Sequence, residues 1–178
     1  MAVERVKSAL EALLLVASEP LSPRRAATII GLPDAQARTC LRLLMDDYHR
    51  REGGLDVIEV GGGFRLVTRP EFDEFVARLE PSRAQPPLSP AAVETLAIVA
   101  YNQPQTRMDV EGVRGVRCEG VLATLVDRGF VEEVGRKEGP GRPILYGTTR
   151  RFLEFFGLRD LSDLPPLPKA TNRGEEVG

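Results

Sequence analysis

The chain has 178 residues, 42% apolar and 28% charged, with a net charge of −2 and no Trp. That is the balance of an ordinary globular protein, and neither half is basic: residues 1–80 hold 11 Lys/Arg against 13 Asp/Glu, and residues 89–161 hold 10 against 10. Two distant cysteines, Cys40 and Cys118, and a single histidine, His49, exclude a disulfide framework and a zinc site, and no apolar run approaches the length of a membrane span.

Val6, Leu10, Leu13, Leu14 and Ala17 recur at helical spacing and predict a first helix with one apolar face. Pro20 stops it, and Ser22-Pro23 supplies an N-cap and a first-turn proline for a second helix running to Ile30. Gly31 offers a left-handed C-cap. Pro33-Asp34 opens a third helix with Ala37, Leu41, Leu44 and Tyr48 on one face, ending at Gly53-Gly54. Residues 55–60 and 64–68 are β-rich and are joined by Gly61-Gly62-Gly63, which reads as a hairpin. No Lys-Ser/Thr follows the glycines, so a phosphate-cradling loop is discounted. Pro70 starts a closing helix expected to turn Phe72, Phe75, Val76 and Leu79 inward.

Residues 81–88 carry three prolines without periodicity and read as a stiff linker. A second unit over 89–160 repeats the order. Ser89-Pro90 opens a helix whose apolar face is expected at Val93, Leu96, Ala97 and Ala100, and Gln103-Pro104 ends it. Thr106 and Asp109 fit a capping box for a short helix ending near Gly115. A third helix carries Cys118, Val121, Leu122 and Leu125 and stops at Gly129. A strand from Phe130, a wing loop over 135–143 and a returning strand from Ile144 follow. Thr149 then caps a helix with Phe152, Phe155 and Phe156 packing back. The tail, 161–178, loses periodicity and is expected to be disordered at its end. The predicted class is mainly α with small β wings: tandem winged-helix (helix-turn-helix) domains, three helices plus a β-hairpin each, over 1–80 and 89–160.

Neither unit offers a catalytic constellation. The serines are mostly N-caps, and the acidic pairs Asp46-Asp47 and Glu132-Glu133 are sequence neighbours whose side chains diverge. No enzyme chemistry, cofactor or metal is expected. A DNA-binding winged-helix transcriptional regulator is the alternative reading. It predicts basic third helices, but Arg38, Arg42, Arg50 and Arg51 are cancelled by Asp34, Asp46, Asp47 and Glu52, and Arg117 and Arg128 by Glu119 and Asp127.

Residues 94–107 (ETLAIVAYNQPQTR), 111–116 (EGVRGV), 125–130 (LVDRGF), 141–149 (GRPILYGTT) and 152–158 (FLEFFGL) closely resemble the segregation and condensation protein B (ScpB) family. Residues 88–166 carry the likeness in letters, and residues 3–79 in layout. Gln105 stands where that family usually has an aliphatic residue. The resemblance implies a non-enzymatic accessory subunit of the bacterial condensin-like SMC complex, acting in chromosome condensation and partition during cell division. It implies a homodimer paired through its N-terminal domains, with the C-terminal domain holding the kleisin subunit ScpA. The SMC ATPase would be reached through the kleisin and DNA only indirectly or weakly. The expected location is the cytoplasm, at the nucleoid through the complex.

Eight residues are candidate partner contacts. Tyr101, Gln103, Pro104 and Arg107 cluster at the turn after the first helix of the second unit, although Pro104 also has the structural duty of ending that helix. Gln103 and Arg107 divide evenly between an internal polar tie and partner contact. Arg114 could grip a carboxylate, with Glu111, three residues earlier, as its internal alternative. Arg136 and Arg142 are the wing cations to test.

Overall fold

The computed structural model describes residues 2–79 and 86–167. Helices α1 (Val3–Val16), α2 (Pro23–Ile30) and α3 (Asp34–Arg50) are followed by the hairpin β1 (Leu55–Val60) and β2 (Gly63–Thr68), a 3-10 turn (Pro70–Phe72) and α4 (Asp73–Leu79). The second half runs α5 (Pro90–Asn102), β3 (Gln105–Thr106), α6 (Arg107–Arg114), α7 (Glu119–Asp127), β4 (Val131–Arg136), β5 (Ile144–Thr148), α8 (Arg150–Phe156) and a 3-10 turn (Leu161–Asp163). Most of the expected linker lies outside the described residues, as does the tail end expected to be disordered. At the described edges, Arg128 donates to the Pro86 carbonyl at 2.9 Å, and Leu88 and Leu164 pack on the second core.

Each half has its own hydrophobic core. Val6, Leu10, Leu14, Leu41, Leu44, Tyr48, Val57 and Phe64 anchor the first. Leu96, Val99, Val110, Leu122, Leu125, Phe130, Val131 and Phe152 anchor the second. Helix punctuation follows local chemistry. The hydroxyls of Ser22, Ser89 and Thr149 accept from the backbone at N3, and Thr106 and Asp109 form the full reciprocal capping box. The third helix ends at Arg50, short of the expected glycine pair, and its last turn is tied by Arg50 to Asp47 at 2.9 Å.

Sequence patterning did not reveal β3. It is two residues long, and it pairs antiparallel with β5 through Gln105↔Tyr146 and Thr106↔Leu145, giving the strand order β3-β5-β4. The first half has its counterpart in a single bridge, Leu21↔Phe64. Both halves therefore close their wing against the chain entering the second helix. That bridge also explains the three glycines. The hairpin turn contains only Gly61 and Gly62, at φ +56° and +73°, the left-handed values that a two-residue turn of this hand needs. Gly63 already belongs to β2, and a Cβ there would sit 2.9 Å from backbone carbons of Pro20 and Leu21.

Three expected burials are corrected. Across the 3-10 turn and α4, Phe72, Phe75, Val76 and Leu79 share one face but stay exposed, Phe75 at 56% and Leu79 at 82%. α1–α3 and the hairpin already fill the first core, so this stripe has no face left to cover. In α8 only Phe152 is buried. Phe155 and Phe156 remain about half exposed, stacked with Phe130 and Phe152 at centroid distances of 5.0 Å. In α5 the inward face is Ala92, Thr95, Leu96, Val99 and Ala100, so Val93 and Ala97 look outward. Thr95 is tolerated inside because its hydroxyl donates to the Ala91 carbonyl at 2.7 Å.

Candidate partner-binding surface

Val93 and Ala97 open onto a groove between α5, α8 and the segment after α8. The groove encloses about 330 Å³ and is walled by Leu96, Ala100, Tyr101, Phe152, Phe156, Leu158, Leu164 and Pro165. Its lining is almost wholly apolar, and Tyr101 forms one rim, its hydroxyl donating to the Pro165 carbonyl at 2.5 Å. That bond holds the returning chain against α5. A concave apolar strip with a polar rim is the form that receives side chains of a bound helix or extended segment. Sequence reasoning placed Tyr101 near a contact surface but missed Leu158, Leu164 and Pro165, which the fold brings back from 57 or more positions away.

The other candidate residues separate. Gln103 is an internal tie. Its Oε1 accepts from the Thr148 backbone N–H at 2.7 Å, and its Nε2 donates to Thr148 Oγ1 at 2.9 Å and to the Ala100 carbonyl at 3.3 Å. It stitches the end of α5 to β5. Gln103→Leu leaves the Thr148 amide unpaired and is expected to cost about 1–3 kcal/mol, read as a lower denaturation midpoint with unchanged binding of any partner at the groove. Pro104 is exposed and follows a cis peptide bond.

Arg107 pairs with Glu119 at 2.7 Å. Arg114 does not use Glu111, the partner expected from helical spacing. Its guanidinium donates twice to Glu94 Oε2, at 3.2 and 2.9 Å, and its side chain is only 7% exposed. Glu111 is engaged elsewhere, accepting from the Cys118 N–H at 2.9 Å at the start of α7. Burial, then the neighbouring Glu111 charge, pushes the Cys118 thiol upward, which leaves it a packing group. In the wing, Arg136 donates to the Arg142 carbonyl at 3.3 Å, and Arg142 adopts φ +39°. Lys137 reaches Asp109 at 3.6 Å. The Thr106 backbone and hydroxyl bonds, with Lys137, hold the Asp109 carboxyl below its usual range.

Gln105 is a poor fit. Its Oε1 is buried without a hydrogen-bond partner.

On the faces that a DNA-binding winged helix would present, several cations are held in ion pairs. Arg38 and Arg42 both pair with Glu59, at 3.2 and 3.7 Å. Beside α7, Glu119, Asp127 and Glu133 line a pocket of about 270 Å³ whose basic member, Arg107, is already paired. Among the described residues no group of three His, Cys, Asp or Glu could hold a metal, and no helix is long and apolar enough to cross a membrane.

The family model described as segregation and condensation complex subunit ScpB matches residues 8–167, both halves in one pass. The chain belongs to the segregation and condensation protein B family. The segregation and condensation protein B of Desulforamulus reducens is 48% identical over 98% of this chain and 96% of its own length. That of Moorella thermoacetica is 52% identical over 92% and 84%. A crystal structure of a dimer of ScpB N-terminal domain complexed with ScpA peptide shows 30% identity, covering 44% of this chain and 99% of that one, with a TM-score of 0.42. The family match over residues 8–167 and the Desulforamulus relative's coverage of 98% of the chain carry the likeness through the first half, where the resemblance in letters had been faint.

Proposed function

We propose that the protein is a non-enzymatic scaffold subunit of a bacterial SMC complex, a homodimer that holds the kleisin ScpA and works in the cytoplasm at the nucleoid. The family match across both halves at once carries this reading. The geometry supports a division of labour between residues 1–80 and 89–160. The exposed apolar stripe Phe72, Phe75, Val76 and Leu79, running from the 3-10 turn along α4, suits pairing with a second copy. The groove beside α5 suits an apolar kleisin segment, with Tyr101 at its rim. Of the eight candidate residues, Tyr101 has the best claim to partner contact. Arg107, Arg136 and Arg142 are exposed enough to add to it, whereas Gln103, Glu111 and Arg114 are engaged in internal ties.

The ion-paired Arg38 and Arg42 on α3 and the acidic lining beside α7 disfavour the transcriptional-regulator reading. Ala97→Asp puts a carboxylate on the open groove wall without entering the core. It is expected to weaken ScpA binding at least ~10-fold while leaving helix content and dimer mass unchanged. Titration of labelled ScpA with wild type and variant checks this, and equal affinity would remove the groove from the proposal.

A further inference from the structure

In DNA-binding winged helices the hairpin tip is a free contact element. Here the tip of the first hairpin is engaged by the second half of the same chain. The Gly61 N–H donates to the Leu158 carbonyl and the Gly62 N–H to the Arg159 carbonyl, both at 2.9 Å. These carbonyls lie just past α8, which ends at Gly157 in the left-handed conformation. The approach is close enough that a Cβ at Gly61 would meet Arg150 Cγ at 3.2 Å and Glu154 Cγ at 3.3 Å. Glycine thus serves here for both its turn geometry and its lack of a side chain.

Charges flank the two backbone bonds. Arg65 on β2 pairs with Glu154 on α8 at 3.2 Å, and Glu154 also holds Arg150 at 3.4 Å. Arg150 reaches across to donate to the Pro20 carbonyl, in the turn that receives β2. On the other side, Arg159 is clamped to Asp163, whose carboxyl that bond pulls down to about 2. The Arg159 backbone N–H also donates to that carboxylate, at 2.8 Å, which adds to the hold on the acceptor loop.

We infer that residues 61–65 and 150–163 form a built-in clasp: the hairpin tip of the first half, seated on the end of α8, sets the angle between the two halves, and the Arg65–Glu154–Arg150 ion pairs keep it shut. The contact is small, polar and partly exposed, which is the character of an interface that opens, unlike that of a core. Its acceptor segment is also one wall of the apolar groove, through Phe152, Phe156 and Leu158. Docking of the tip is thereby coupled to the shape of the groove. The clasp does not depend on which partner the groove receives.

The two glycine amides report on the clasp directly. A hairpin-tip amide facing solvent exchanges freely, whereas one bonded to a carbonyl exchanges only when that bond opens. Amide exchange is followed by NMR on the full-length protein, on Arg65→Glu and on Glu154→Gln. The two substitutions lie on opposite sides of the contact and outside both cores. In wild type at low salt, Gly61 and Gly62 are expected to be protected at least ~10-fold relative to either variant, and 0.5 M salt is expected to reduce that protection about as far. Core amides of Leu10, Leu41 and Leu125 should stay slow throughout, which shows that each variant is folded. Free exchange of both glycines in wild type would overturn the clasp. Protection that survives both variants and salt would overturn the role given to the ion pairs.

Discussion

Phe75→Glu combined with Leu79→Glu on α4 should leave the protein folded and convert it from dimer to monomer. Both side chains are exposed in the single chain, at 56% and 82%, and they lie on one helical stripe with Phe72 and Val76. Neither belongs to the first core, so replacing them costs the fold little. Burying a large apolar side chain against a partner is worth about 1.5–3 kcal/mol, and a dimer with twofold symmetry uses each residue twice. Two carboxylates per protomer would also have to be desolvated across the interface. The combined penalty should weaken dimerisation at least ~1,000-fold. Sedimentation equilibrium would read this as a fall from twice 19.6 kDa to 19.6 kDa. A variant that stays dimeric would move the pairing surface away from α4.

Phe130→Ala should have the largest effect on stability. Phe130 is fully buried at the start of β4 and lies 5.0 Å from the Phe155 ring. Arg128 and Arg151 stack against it at 5.4 and 5.7 Å. Its backbone bonds on both sides, donating to the Leu125 carbonyl at 2.9 Å and accepting from the Thr149 N–H at 3.1 Å. Truncation leaves a cavity where α7, β4 and α8 meet, at an expected cost of about 3–5 kcal/mol. That is a large part of the ~5–15 kcal/mol that usually holds a domain together. Urea denaturation followed by amide exchange should show core protection lost at Leu122 and Leu125 while Leu10 and Leu41 keep theirs. The groove is built from the same half, so ScpA binding should fall with it while dimerisation persists. A loss below about 1 kcal/mol would show that this half is not organised around Phe130.

The order of elements and most helix ends were legible in the sequence, because caps and stops are local chemistry. Ser22, Ser89, Thr106 and Thr149 cap where their spacing from the following apolar run says they should. What covers an apolar stripe was not legible. Periodicity reports that Phe72, Phe75, Val76 and Leu79 share a face, but it cannot separate a face turned to the chain's own core from one left open. Phe155 and Phe156 do pack back, on Phe130 and Phe152, but only in part, and about half of each stays open. Distant polar partners were beyond reach: Arg114 uses Glu94, twenty positions away, in place of the expected Glu111, and Gln103, left open between an internal tie and a partner contact, is tied to Thr148, forty-five away. β3 escaped because two residues cannot display an alternation, and the groove because its far wall returns only after α8.

The central claim is that this molecule is built to hold another polypeptide. The most direct measurement is size-exclusion chromatography with light scattering on the full-length protein, alone, with its cognate ScpA, and with random duplex DNA at low salt. The expected result is a mass of twice 19.6 kDa alone, one heavier peak containing both proteins when ScpA is added, and no shift on DNA. A peak at 19.6 kDa that ignores ScpA and moves onto the duplex would contradict it.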